Sequence, residues 1–243
     1  MSTLGFYSHV NTKPKATEFS LQSIRKFYPN APIAISCDNA FNYTEMCKKY
    51  NVRYFHNNTS LGYPQQPHGY KIESVLMFLD RMYQGVSVLG TDYFMMSEDD
   101  VVIVSPIELN DDWHMVGQPL YYEGQVPTMP ESFLDIIEKF SGVRPKTNYY
   151  NCGGGSIFKT STFLNNYARV REFYEHNLED IQQHVWPTLG WMDCFMCVFF
   201  LLCGKEINQN HKLLNIWPTQ IPYDLTKVPP DVNIVHNFKD YYE

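Results

Sequence analysis

Along the first hundred residues, short apolar runs alternate with longer stretches in which apolar positions recur every three or four residues. Residues 4–10 read as a strand. Residues 16–27 read as a helix, because Phe19, Leu21, Ile24 and Phe27 fall on one face at helical spacing, and Asn30 and Pro32 break it. The same reasoning gives a strand at 32–37, a helix at 43–50, a strand at 52–55, a helix at 70–83 and a strand at 93–96. Such alternation is the mark of βαβ units. It predicts an α/β fold in which a mixed, mostly parallel sheet is flanked by helices.

Beyond residue 103 the pattern changes. Residues 111–146 are richer in Pro, Gly and turn formers, with one clear helix at 131–140 whose Phe133, Ile136, Ile137 and Phe140 make an apolar stripe. This stretch reads as an insertion. A Gly-rich turn then leads into a short strand over 151–158, helices follow at 162–175 and 192–202, and a last strand is expected at 232–236. There is no internal repeat.

A chain of 243 residues with 44% hydrophobic content suits one large domain better than two small ones. Residues 1–103 and 104–243 are expected to form its two halves. The net charge of -7 and pI near 5.6 argue against nucleic acid as a partner, since phosphate backbones are held by clustered Lys and Arg. An anionic ligand would need a metal ion or a few well-placed bases. The N-terminus lacks the basic and apolar regions of a secretory signal, and the most apolar run, 194–203, is half the roughly 20 residues that a membrane-spanning helix needs. No transmembrane segment is expected. A cytoplasmic protein is, whether of a cell or of a virus replicating inside one. Six cysteines show no disulfide or zinc framework, and the CxxC of Cys194 and Cys197 has no second pair to complete a metal site.

Against this background three acids stand out. The apolar run 93–96 passes through Ser97 into Glu98, Asp99 and Asp100, and then into Val101, Val102 and Ile103. Adjacent carboxylates inside a buried run repel one another and need a cation or a hydrogen-bond network. In an extended backbone, Glu98 and Asp100 would point to one side and Asp99 to the other. Hard oxygen ligands favour Mg²⁺ or Mn²⁺. The plain alternative is a solvated surface turn. The final strand ends at His236, with Lys239 shortly after, and a neutral imidazole can complete a carboxylate site while an ammonium neutralises a phosphate.

In open α/β sheets, ligands sit beyond the carboxyl ends of the strands, which directs attention to Ser8, His9 and Asn11 after strand one and Asp38 and Asn39 after strand two. Asp38 and Asn39 are also ordinary turn residues. Lys71 opens the third helix, where on its own it reads as a solvated helix residue. Gly153, Gly154 and Gly155 allow close approach of backbone to a ligand or to another segment. Asp193 stands at the start of the most apolar helix, as either a base or an N-terminal cap. Tyr121, Tyr122, Tyr149, Tyr150, Trp186 and Trp191 offer flat apolar faces with polar edges on which a ligand ring can stack, although most aromatics in such a chain serve the core. Neither GxGxxG nor GxxxxGK[ST] occurs, which counts against dinucleotide oxidoreductases and P-loop NTPases.

Taken in order, the loops, acidic motif, insertion, Gly-rich turn, late acid and terminal His with Lys resemble the nucleotide-sugar-dependent glycosyltransferases of GT-A fold, in the EDD variant of their DxD motif. The resemblance implies that Asp100 and His236 hold Mn²⁺ or Mg²⁺, with Glu98 in the first acid position, near the metal or the donor. It groups Asp99, Lys71 and Lys239 with Ser8, His9, Asn11 and Asp38 on the donor side, and makes Asp193 the base of an inverting transfer, with retaining chemistry the alternative. A UDP-sugar is the implied donor, with a GDP-sugar second, and a glycan or glycoprotein hydroxyl the implied acceptor. A silent sugar-binding protein of the same fold is the rival. A sugar nucleotidyltransferase fits less well, because its Gly-rich, basic N-terminal loop is absent.

Overall fold

The computed structural model describes residues 2–38, 41–61, 72–120, 126–151, 153–184, 191–213 and 225–236. The first half runs β1 (Leu4–Val10), α1 (Pro14–Phe27), β2 (Ile33–Cys37), α2 (Thr44–Lys49), β3 (Arg53–His56), α3 (Ile72–Ser87) and β4 (Tyr93–Met96). After the acidic motif come β5 (Val102–Ile103), β6 (Met115–Gly117), α4 (Glu131–Ser141), β7 (Ile157–Lys159), α5 (Thr160–His184), α6 (Trp191–Leu202), β8 (Ile207–Gln209) and β9 (Ile234–Val235).

Seven strands form one sheet in the order β3-β2-β1-β4-β7-β6-β8, and β5 pairs with β9 in a second, two-stranded sheet. Strands β1 to β4 are mutually parallel, β7 is antiparallel to both its neighbours, and β6 and β8 are parallel to each other. The expected mixed, mostly parallel α/β sheet is therefore present. Alternation along the strands sorts side chains onto its two faces. Phe94 and Met96 pack with Leu79, Phe163 and Phe199 from α3, α5 and α6, while Tyr93 and Met95 pack with Leu21 and Ile24 of α1 and Cys47 of α2. Each face of the sheet is thus covered by helices, which is why the central strands are mostly apolar.

Local chemistry fixes the element ends. Pro14 opens α1, where its missing N–H costs nothing. At its other end, Arg25 donates to the carbonyls of Ala31 (2.7 Å), Tyr50 (2.8 Å) and Asn51 (2.9 Å), tying α1 to the end of α2. Gly142 closes α4 at φ 76°, a left-handed position suited to glycine.

The differences from expectation lie mainly in the second half. Strands β6 and β8 are three residues each, too short to display a period. Helix α5 continues to His184, past the expected end at 175, and α3 continues to Ser87, past 83. The last strand is only Ile234–Val235. No described helix is long and apolar enough to cross a membrane. Cys37, Cys47, Cys197 and Cys203 are free thiols.

Candidate metal and nucleotide site

Strand β4 delivers the acidic motif to the carboxyl edge of the sheet. There the Ser97 N–H donates to the Tyr7 carbonyl at 2.7 Å, and the chain turns, with the Val101 N–H reaching the Glu98 carbonyl at 3.3 Å. The backbone is thus not extended through the acids, as the simple alternation argument assumed. The turn nonetheless brings Glu98 and Asp100 together. Asp100 is buried, Glu98 and Asp99 are half-buried, and the charge of Asp99 acts on Tyr43, whose hydroxyl pKa is raised by burial first and by Asp99 among lesser causes.

The third member comes from the far end of the chain. Strand β5 leaves the turn and pairs antiparallel with β9, placing Val102 opposite Val235 and Ile103 opposite Ile234. Leaving β9, His236 returns to the acids, with Nε2 3.1 Å from Glu98 Oε2 and 3.1 Å from Asp100 Oδ1. One ligand atom from each of the three residues lies within 4.8 Å of the others.

The Gly-rich turn closes the group from the side. The Gly155 N–H donates to Met96 O at 2.8 Å, and the Met96 N–H to Ser156 O at 3.0 Å, so the turn is clamped to the end of β4. A Cβ added to Gly154 would lie 2.5 Å from His236 Cε1, 2.8 Å from its Nε2 and 3.1 Å from Glu98 Cδ. Only glycine leaves that space open. At Gly155 the reason is conformational as well, since φ is 82° and a Cβ would meet Ile234 Cδ1 at 2.1 Å.

Two carboxylates and an imidazole in a recess that a single methyl group would fill suit a small divalent cation with oxygen preference. The electrostatics agree. Burial works against a charge on His236, but the carboxylates of Asp100 and Glu98 outweigh it and hold its pKa well above the ordinary value, so the acids draw positive charge into the group.

The other expected residues fall into three sets. Ser8, His9 and Asp38 lie at the carboxyl ends of β1 and β2, as anticipated, but Asp38 is engaged by protein groups. Its Oδ1 bonds the Arg81 guanidinium and lies 3.3 Å from His9 Nε2, and its Oδ2 accepts the Leu61 N–H at 3.0 Å and the Ser60 hydroxyl at 3.1 Å. The Asn11 carbonyl accepts the Tyr43 hydroxyl at 3.1 Å. Of the aromatics, Tyr150 is buried and Tyr149 donates to Ile207 O at 3.0 Å. Asp193 and Trp191 belong to the first turn of α6, but their side chains lie outside the described residues, as do Asn39, Lys71, Tyr121, Tyr122, Trp186 and Lys239. Sequence reasoning missed Arg81, a buried cation among the apolar positions Phe78, Leu79 and Met82. That interruption of an apolar helix face was its one visible signal.

No protein-family model matches the chain, and no curated protein matches its sequence. Its sheet order and flanking helices define a GT-A-type α/β fold. Among solved structures that fold is shared with the galactosyltransferase LgtC, solved with donor and acceptor sugar analogues, at a TM-score of 0.53 and 13% identity over 96% of this chain and 86% of LgtC. S. aureus TarS is more distant. It matches 68% of this chain at 13% identity and a TM-score of 0.38, and TarS 1–349 in complex with UDP does so at 13% and 0.37. The chain spans 29% and 48% of those two TarS chains.

Proposed function

We propose that the chain is a metal-dependent glycosyltransferase that moves a sugar from a nucleoside-diphosphate donor to an acceptor hydroxyl, with UDP-sugar the first donor to test and GDP-sugar the second. The observation that carries this reading is the convergence of Glu98, Asp100 and His236 against Gly154 at the carboxyl end of β4 in a GT-A-type sheet. The fold shared with LgtC, which was solved with donor and acceptor sugar analogues, supports it.

On this reading Asp100 and His236 hold Mn²⁺ or Mg²⁺, and Glu98 lies beside them. A divalent ion supplies charge that stabilises the departing diphosphate. Residues 1–103 bind the donor, and residues 104–243 bind a glycan or glycoprotein acceptor. Lys239 is assigned to the donor phosphates, and Lys71 to a contact with the donor. Asp193, in the first turn of α6, is assigned as the base that removes the acceptor proton in an inverting transfer, a place where the helix N-terminus favours its anionic form.

The test is thermal unfolding with UDP, GDP, CDP and TDP, each with Mn²⁺ and then with EDTA. A nucleotide at about a hundred times its dissociation constant adds roughly 2.7 kcal/mol. A rise with one nucleotide that EDTA removes is the expected result, and no rise with any of them sinks the reading. Asp100→Ala is expected to lower donor turnover on the order of 10³-fold, as loss of a main electrostatic group does.

A further inference from the structure

We propose that Arg81 is a positioning residue for the nucleotide, and that Asp38, through which it acts, holds the pocket wall together without touching the base. This inference rests on the nucleotide-sugar reading above.

Asp38 follows β2 directly and is 1% exposed. A carboxylate offers about four acceptor positions. Here the Arg81 guanidinium, His9 Nε2, the Leu61 N–H and the Ser60 hydroxyl surround them, which leaves no free edge for a ligand. Burial pushes the Asp38 carboxyl up, but His9, the Leu61 N–H and Arg81 together bring it down to about 2, so it is held as an anion.

Arg81 is 5% exposed and spends its remaining capacity on the same wall. Its Nη2 donates to the Thr59 carbonyl at 2.6 Å and lies 3.0 Å from the Thr59 hydroxyl. One buried pair therefore joins the end of β1, the end of β2, the segment that follows β3 and helix α3. These are the carboxyl ends beyond which a nucleotide lies in such a sheet. The triad is built from β4, β9 and the Gly-rich turn, and shares none of these contacts. Arg81 is suited to the task because its planar fork holds a carboxylate and a carbonyl in one fixed geometry, where a lysine offers a compact point charge on a flexible stem.

The experiment is a titration of the full chain with Mn²⁺ alone and with UDP in the presence of Mn²⁺, on the wild type, R81K, D38N and the double variant R81K/D38N. Folding is followed by circular dichroism. We expect each single substitution to weaken UDP about tenfold, the double to weaken it no further, and Mn²⁺ binding to be unchanged in all. Non-additivity of this kind is the signature of two groups acting as one. R81K that folds and binds UDP like the wild type overturns the proposal, as does a double variant about a hundredfold weaker, which would make Asp38 a ligand in its own right. If R81K does not fold, Arg81→Gln is read on the same two titrations. A wild-type protein that binds Mn²⁺ but none of the nucleotides overturns the nucleotide reading, and the proposal falls with it.

Discussion

The two ends of the main sheet are built differently. On one side of β4 stand β1 and β2, parallel strands of seven and five residues buried almost throughout, with the short edge strand β3 outside them. On the other stand β7, β6 and β8, three residues each, with β7 reversed. The first end is fixed by its own pattern. The second is fixed by what packs on it, as in the rings of Phe158 and Phe200 stacked 5.4 Å apart. The candidate metal group sits on the seam, drawing its acids from the end of β4 and its histidine and glycine from the later half.

Breaking the seam is the most severe test of this comparison. Phe94 of β4 is fully buried, with ring centroids 5.1 Å from Phe158 and 5.4 Å from Phe163. Phe94→Ala is expected to cost about 3–5 kcal/mol, read from the denaturant midpoint. A single unfolding transition is expected in the wild type and the variant. Two transitions would show that the halves are independent.

Next in size is Gly154→Ala, whose Cβ collides with the His236 ring. Mn²⁺ affinity by calorimetry is expected to fall about 10–100-fold with the fold intact, the scale on which disturbed ligand orientation acts. Unchanged affinity would place the metal elsewhere.

The first half should also carry an acid-sensitive element. Asp38 has its pKa lowered from 3.8 to about 2, below its unfolded value, so its contribution is complete above the unfolded value and is lost as pH falls through about 2. The difference corresponds to roughly 2 kcal/mol. Denaturation of the wild type and D38N at pH 5, 3 and 2 measures it. Parallel curves for the two proteins would refute the assignment.

The smallest effect belongs to a cap. Gly142→Ala, at φ 76° with open space around it, is expected to cost about 1 kcal/mol by thermal unfolding, from backbone strain alone. A clash would cost more.

Legibility from sequence follows the same division. Strands β1, β2 and β4 carry enough consecutive apolar residues to announce themselves. A three-residue strand such as Ile207–Gln209 carries no measurable period, and its place depends on pairing with β6. Glu98 and Asp100 were visible because acids interrupt an apolar run, and His236 because it ends one. The turn that brings the acids together was not visible. Nor was the Arg81 to Asp38 pair, since the partners are 43 residues apart and Asp38 alone looks like any turn residue.

Glu98 and His236 are 138 positions apart, and the two-residue β9, paired with β5, helps to bring them together. During synthesis the ribosome emits about 5–20 residues each second, so β1 to β4 emerge several seconds or more before the histidine does. A nascent or truncated chain can therefore carry both acids yet lack the complete triad. The complete group exists only once residue 236 has been made.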